Sequence, residues 1–186
     1  MKKLFLTLAL GLICATGFSQ FSEEDGSYYY SNEFTAENAY SKVVKMLNTF
    51  NNSTQGAEIK TKSDTLVTAE VVFNAKASYN PFAGSFYENF QFDATFKIDG
   101  DHVTVLCDNF YTIFIYSGYG RNKEVKSYDE RVEEYEAAVA GLNSGTLSGK
   151  AKKEAKSTVS DWEESSAAIN QEFNGRWVKA LNSKLK

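Results

Sequence analysis

Apolar and polar residues alternate in several runs between residues 57 and 115. The clearest run places Phe90, Phe92, Ala94, Phe96 and Ile98 against Gln91, Asp93, Thr95 and Lys97. A period of two sends successive side chains to opposite faces of a β-strand. Asp99-Gly100-Asp101 then predicts a tight hairpin turn, because glycine accepts the positive φ that such a turn needs. The pattern predicts an antiparallel sheet with one apolar and one polar face.

Helical spacing appears on both sides of the sheet region. Thr35 is the predicted N-cap of an amphipathic helix over residues 36–50, in which apolar residues recur every three or four positions. Ser127 and Glu130 fit a capping box at the start of a second helix. The Gly/Ser-rich residues 141–149 separate that helix from a third, which predicts a helical hairpin.

The remaining boundaries follow from composition. We predict strands at residues 28–34, 57–61, 66–75, 90–98 and 103–115, with a bulge at Asp108-Asn109. Val103, Val105, Cys107, Asn109, Tyr111, Ile113 and Ile115 are predicted to share one face of the return strand. Residues 20–27 are predicted to be a loose tail and residues 76–85 a loop. Gly175 predicts a kink or break in the last helix.

The expected fold class is α+β. An antiparallel sheet carries an amphipathic helix on one face and is followed by a C-terminal α-helical hairpin. We predict a signal peptide over residues 1–19, an α+β domain over residues 28–120 and a C-terminal helical extension over residues 121–186. The apolar stripes of the hairpin could pack on each other, on the sheet, or on a second copy of the chain.

Export is predicted from residues 1–19. Lys2 and Lys3 precede an apolar stretch, and small residues stand at the −3 and −1 positions of a cleavage site after Ser19. An uncleaved anchor is one alternative. Lipidation at Cys14 is another, although the bulky Ile13 before it disfavours a lipobox. We expect a periplasmic or secreted protein with no transmembrane segment after cleavage.

Composition excludes several classes of function. Cleavage removes Lys2 and Lys3 and takes the formal net charge from −4 to −6, which disfavours nucleic-acid binding. His102 is the only histidine, and Cys107 would be the only cysteine left, so material for a metal site or a triad is scarce. Cys107 lies in an alternating run and is expected to be a buried, inert thiol. We predict no cofactor, no metal and no catalytic residue.

Three segments resemble an uncharacterised domain family of exported bacterial proteins. They are the helix AENAYSKVVKMLNTF, the strand TLVTAEVVF and the hairpin FDATFKIDGDHVTVLCDNF. The resemblance covers about half of the chain and implies a fold like that of the TATA-box-binding protein (TBP-like). It implies an exported protein and assigns no catalytic residue.

Aromatic residues are the one feature that suggests binding, since 15% of the chain is Phe, Trp or Tyr. The candidate ligand or partner surface is formed by Tyr29, Tyr79, Phe82, Phe86 and Tyr87, which lie in or beside predicted loops and edges. Flat rings offer apolar area with little loss of entropy on binding, although they could also simply cover the sheet edge. The leading interpretation is a non-catalytic binding or assembly module of the cell envelope. Its partner would be an envelope protein or a glycan.

A carboxylate-based, carbohydrate-directed envelope hydrolase is the alternative interpretation. Such enzymes use two acids that are paired only in space, so sequence spacing does not reveal them. Glu88, Asp93 and Asp108 lie on or near the predicted sheet. We expect all three on a solvated face, because acidic residues are mostly exposed. A purely structural protein without a ligand is the third interpretation.

Overall fold

The structure, a computed structural model, describes residues 21–24, 27–52, 54–80, 84–118 and 120–186. These residues form the strands β1 Ser22–Glu24, β2 Ser27–Thr35, β3 Gln55–Lys62, β4 Leu66–Asn80, β5 Gly84–Asp99, β6 His102–Gly118 and β7 Gly120–Ser127. The helices are α1 Ala39–Thr49, α2 Tyr128–Asn143, α3 Gly149–Glu172 and α4 Lys179–Lys184, and a π-helical segment Phe173–Val178 joins α3 to α4. The predicted signal peptide lies outside the described residues.

The seven described strands form one antiparallel sheet, in which six strands follow the order β1-β2-β6-β5-β4-β3 and β7 pairs with β6 beside this path. The first part of β6, His102–Cys107, pairs with β2, and the last part, from Tyr111 to Gly118, pairs with β7. Strand β5 pairs with β6 along its other side. Strands β2 and β7 therefore lie end to end along one edge of β6. The predicted α+β class and antiparallel sheet are confirmed.

The predicted inner face of β5 is confirmed. Phe90, Phe92, Ala94, Phe96 and Ile98 are buried, while Asp93 and Lys97 on the other face are exposed. The rings of Phe90 and Phe110 stack at 5.4 Å between centroids, and the indole of Trp177 meets Phe92 edge-on at 5.3 Å. Helix α1 and the C-terminal helical run cover this face, so one apolar core serves the whole sheet.

The bulge in β6 lies where it was predicted, but it changes which residues face the core. Gln91 pairs with Tyr111 and Asp93 pairs with Asp108, so two residues of β6 stand opposite Phe92. Asn109 absorbs the extra residue with φ +50°, a conformation that Asn adopts more readily than most residues. After the bulge, the residues of β6 that face the core are therefore the even-numbered ones instead of the odd-numbered ones. Phe110 and Thr112 are buried, and Tyr111, predicted to face the core, is exposed.

Four predicted boundaries are wrong. Helix α1 begins at Ala39 rather than after Thr35, and its N-cap is Asn38 in a left-handed conformation. Residues 76–80 and 84–85, predicted to be loop, extend β4 and β5. The predicted tail contains β1 and the buried Phe21, whose ring lies 4.8 Å from that of Phe110. Residues 121–127, grouped with the helical extension, belong to strand β7.

The C-terminal helices share the core of the sheet. The helical spacing predicts an apolar stripe of Val159, Trp162, Ile169, Phe173, Trp177 and Leu181, and all of these except the half-buried Val159 are buried. Gly175 does not break the helix, because the chain continues through the π-helical turn, where one residue more is accommodated per turn. The stripe is thus buried within the chain, and self-association through these helices stays a prediction. No helix among the described residues is long and apolar enough to cross a membrane.

Candidate functional site

Three members of the predicted aromatic surface, Tyr29, Phe86 and Tyr87, have described side chains, and these three lie apart. Phe86 points to the helix-covered face of β5, while its neighbour Tyr87 lies on the outer face and is 41% exposed. Tyr29 lines a separate pocket beside the β6 bulge. The side chain of Tyr79 and the whole of Phe82 lie outside the described part of the chain. A role for these residues in binding stays a prediction.

A cleft of about 370 Å³ lies between the sheet and the helical hairpin. We call it the distal cleft, because its floor is formed by β7 and by the ends of β4, β5 and β6 that lie beyond the β6 bulge. Its floor residues are Lys76, Phe86, Glu88, Phe114, Tyr116, Glu124 and Lys126. Its helical wall is formed by Arg131, Glu134, Thr158, Asp161, Trp162 and Ser165.

A buried ion pair joins the two sides of the distal cleft. Arg131 on α2 donates from Nη1 to Glu88 Oε1 at 2.6 Å, and the same nitrogen donates to Thr112 Oγ1 at 3.1 Å. Ser165 on α3 donates to Glu88 Oε2 at 2.8 Å. The expectation that Glu88 lies on a solvated face is wrong, because Glu88 is 1% exposed. The reason is its position on β5, in phase with Phe90 and Phe92.

Two aromatic rings enclose the Arg131 guanidinium. Its central carbon lies 5.0 Å from the ring centroid of Phe114 and 4.5 Å from that of Trp162. A guanidinium over an aromatic face is attracted by the ring quadrupole, the more so when water is excluded. The rings and the ion pair together fix the orientation of Arg131, which is 8% exposed.

Ion pairs on the rim connect the sheet to both helices. Lys76 on β4 contacts Glu164 on α3 at 2.7 Å, and Lys126 on β7 contacts Glu134 on α2 at 2.7 Å. The hydrogen bond to Glu134 raises the pKa of Lys126, and partial burial raises the pKa of Tyr116. Each basic residue that lines the cleft therefore has a carboxylate partner.

The sequence held an overlooked indication of this site. Arg131 follows Tyr128 by three positions and precedes Val132, so it lies on the core-facing stripe of α2. Glu88 occupies the apolar phase of β5. Two opposite charges at core-facing positions of two elements predict a buried pair, because an isolated buried charge is very costly.

The remaining candidate groups are His102, Cys107 and the acidic residues outside the cleft. His102 is exposed, and no group of three or more His, Cys, Asp or Glu among the described residues could hold a metal ion. Cys107 is buried as expected. Burial raises the pKa of its thiol, and the Trp177 indole N–H donates to its sulfur at 3.2 Å.

Four acidic residues outside the distal cleft form a row on the outer face of the sheet. Glu58, Glu70, Asp93 and Asp108 stand opposite one another across β3, β4, β5 and β6. Burial and the neighbouring Asp93 raise the pKa of Asp108. Lys60 contacts Glu58 at 2.9 Å and Glu70 at 3.8 Å, which partly offsets the repulsion. This row brings like charges together on the sheet surface, and its last member, Asp108, also lines the pocket that contains Tyr29.

Comparison with solved structures supports the fold. The chain is similar to a DUF4468 family protein from Bacteroides ovatus ATCC 8483, with a TM-score of 0.50 and 13% sequence identity over 89% of this chain and 92% of that chain. A TBP-like protein from Parabacteroides distasonis ATCC 8503 is similar with a TM-score of 0.35 and 10% identity, over 58% of this chain and 70% of that one. A TM-score of 0.35 is too low to support an assignment of the fold.

The sequence searches return no match, since no protein-family model matches the chain and no curated protein does so. The likeness to the DUF4468 family protein extends over nearly the whole of both chains. At 13% identity this likeness concerns the fold alone. The predicted resemblance to an uncharacterised bacterial domain family is therefore confirmed at the level of the fold.

Proposed function

We propose that this chain is an exported, non-catalytic binding module of the bacterial cell envelope, and that its ligand occupies the distal cleft. The observation that carries the proposal is the Glu88–Arg131 pair, buried at the base of a cleft and enclosed by Phe114 and Trp162. Well-packed apolar residues in place of a buried ion pair are often as stable or more stable. A fixed polar group under an open cleft is therefore better explained by recognition than by stability.

Binding is favoured over catalysis by the hydrogen bonds of the acids in the cleft. A carboxylate-based hydrolase needs one acid that donates a proton and a second that acts as a base or nucleophile. Both oxygens of Glu88 already accept hydrogen bonds from Arg131 and Ser165, and Glu134 accepts two from Lys126. Asp161 accepts from Ser157 on its own helix. These bonds hold the acids in a structural network.

A fragment screen by NMR tests the proposal. Uniformly ¹⁵N-labelled protein comprising residues 20–186 is titrated with a library of small polar and aromatic molecules. We expect shift changes at Glu88, Phe114 and Trp162, lost in Phe86→Ala and kept in Tyr87→Ala. These adjacent residues of β5 lie on opposite faces, so they form a matched pair. Changes confined to other surfaces, or abolished by Tyr87→Ala, contradict the proposal.

An activity assay with the same protein distinguishes the binding proposal from the hydrolase alternative. Incubation with envelope polysaccharide, followed by measurement of reducing ends, should show no turnover. Turnover that is abolished by Asp161→Asn or Glu134→Gln would replace the binding proposal by the catalytic one. Wild-type protein denatured by heat serves as the blank.

Export is the part of the proposal that rests on residues 1–19. Cleavage after Ser19 keeps Phe21, a core residue, in the mature chain. Cell fractionation with intact-mass spectrometry should find a chain that begins at Gln20 in the envelope or the medium. A cytoplasmic chain with residues 1–19 intact contradicts export, and a chain that begins at an acylated Cys14 replaces cleavage by lipidation.

A further inference from the structure

We infer that the distal cleft binds an uncharged, hydroxyl-rich ligand, namely a short segment of a neutral glycan. The inference rests on the proposed function and gives its ligand a chemical class. It depends on three properties of the cleft: hydrogen-bond donors of Arg131 without a partner, a charge balance that does not favour anions, and aromatic rings beside them.

Arg131 has hydrogen-bond donors to spare. Its Nη1 donates to Glu88 and Thr112, and its other N–H groups make no hydrogen bond with any residue that the structure describes. The side chain is 92% buried and lines the distal cleft. A guanidinium has five N–H donors, and the donors that remain unused beside this cleft favour a ligand that supplies acceptor oxygens.

The charge of the cleft argues against an anion as that ligand. Lys76, Lys126 and Arg131 are the basic residues of its lining, against four acids: Glu88, Glu124, Glu134 and Asp161. Every one of these bases contacts a carboxylate within 2.7 Å. A phosphate or a free carboxylate would therefore gain no net attraction. Hydroxyl oxygens accept from Arg131 without adding charge, and their protons can be donated to the carboxylates.

Aromatic rings supply apolar contact beside these polar groups. Phe86 and Phe114 are nearly parallel, with centroids 6.1 Å apart, and Phe86 also contacts Tyr116 at 5.2 Å. A sugar ring presents C–H groups to such faces while its hydroxyls reach donors and acceptors around them. The volume of about 370 Å³ is near the lower end of the roughly 300–1,000 Å³ of small-ligand sites, so the occupant is short.

A peptide fits the position of the cleft less well. Extended peptides commonly add to a free strand edge, where main-chain hydrogen bonds provide affinity. The cleft lies over the inner face of β4, β5, β6 and β7, and side chains of these strands form its floor. Its lining thus offers side-chain groups to a ligand and not a row of unpaired backbone groups.

Titration of the ¹⁵N-labelled protein with four uncharged trisaccharides tests the inference: maltotriose, cellotriose, mannotriose and triacetylchitotriose. At least one should bind in the distal cleft with a Kd of roughly 1 mM or tighter. Its affinity should not change between low and high salt, because no net charge is neutralised. Trigalacturonate and trialanine serve as the charged and peptide probes, and each should bind at least tenfold more weakly.

Arg131→Lys keeps the positive charge beside Glu88 but removes the planar donors, so it should weaken the trisaccharide at least tenfold. Phe86→Ala should do the same, in case Arg131→Lys disturbs the fold. Val125→Ala is the unchanged control, because Val125 is exposed on β7 and does not line the cleft, although its neighbours Glu124 and Lys126 do. Failure of all four trisaccharides, or tighter binding of trigalacturonate or trialanine, overturns the inference. If fragments still bind in the cleft, that result contradicts only the neutral-glycan inference. If they bind nowhere in the cleft, it contradicts the proposed function as well.

Discussion

Strand β5 passes through two interiors that differ in chemistry. From Phe90 to Ile98 it faces a core of aromatic and aliphatic side chains closed by α1 and the C-terminal helices. From Phe86 to Glu88 it faces the distal cleft, where a buried ion pair takes the place of apolar packing. The same sheet and the same long helix form both regions. Packing is sufficient to explain the first region but not the second.

The difference indicates that the apolar region stabilises the fold, whereas the distal cleft is the region that needs a functional explanation. Apolar burial stabilises a fold by about 25 cal/mol per Å², and the side chains that β5 buries in the first region are all apolar. A buried Glu–Arg pair must instead recover the large desolvation free energy of both charges. A protein keeps such a pair where specific geometry matters, which is why the distal cleft carries the functional proposal.

Removal of an aromatic ring from the apolar region of β5 should cause the largest loss in the free energy of unfolding. Phe92 is fully buried and its ring contacts Phe73, Phe110, Phe173 and Trp177. Phe92→Ala should lower the free energy of unfolding by about 3–5 kcal/mol through lost burial and the cavity it leaves. Urea denaturation measures the change. Tyr87→Ala on the exposed face is the control and should stay within about 0.5 kcal/mol of wild type; equal losses would contradict the comparison.

Separation of the ion pair should be nearly as costly, and replacement of both partners should not. Glu88→Ala leaves the Arg131 charge buried without its carboxylate and should cost about 3–5 kcal/mol. The double variant Glu88→Leu/Arg131→Met removes both charges and should range from neutral to about 4 kcal/mol more stable than wild type. A double-mutant cycle of urea denaturation measures both. A double variant as unstable as Glu88→Ala would mean that the pair itself stabilises the fold.

Loss of the capping box should weaken α2, which carries Arg131. Ser127 accepts from the Glu130 backbone N–H at 3.1 Å, and Glu130 accepts from the Ser127 backbone N–H at 2.8 Å. Ser127→Ala should cost about 1 kcal/mol. Hydrogen exchange should quicken in the first turns of α2 and remain slow in β5. Ser148, the N-cap of α3, makes no side-chain cap bond. Ser148→Ala should therefore change neither the free energy of unfolding nor the hydrogen exchange of α2.

The smallest effect concerns the acidic row on the outer face. Burial and Asp93 raise the folded-state pKa of Asp108 above its ordinary value of 3.8. The folded state therefore holds this proton more tightly, and stability falls as pH rises from about 3.8 through the raised value. Asp108→Asn should gain up to roughly 1 kcal/mol at neutral pH and lose that pH dependence. Glu33→Gln, opposite the uncharged Thr104, should show no gain.

Much of the fold could be predicted because period-two and helical spacing record which side chains face the core. The inner face of β5, the turn at Gly100 and the capping box at Ser127 all follow from local patterns. Strand β7 was missed because Gly120–Ser127 is polar and its pairing with β6 is a long-range property. The ends of β4 and β5 were missed because exposed residues such as Ala77 and Ser78 interrupt the alternation of apolar and polar positions there.

The site was harder to predict than the fold. General statistics place acidic residues at the surface, and for Glu88 that expectation fails because Arg131, more than forty positions away, removes the cost of burial. Phe86 was singled out as an aromatic residue near a loop, but its ring partners Phe114 and Tyr116 lie on β6, and Trp162, which lines the same cleft, lies on α3. The charges at core-facing positions of β5 and α2 were the available indication.

The most direct measurement for the central claim is a fragment titration of the Glu88→Leu/Arg131→Met variant beside wild type, followed by ¹⁵N chemical shifts. The account predicts a folded variant with unchanged shifts around Phe92 and no response of Phe114 or Trp162 to fragments that bind wild type. A folded variant whose distal cleft binds those fragments as tightly as wild type would contradict it, because the ion pair would then serve neither stability nor recognition.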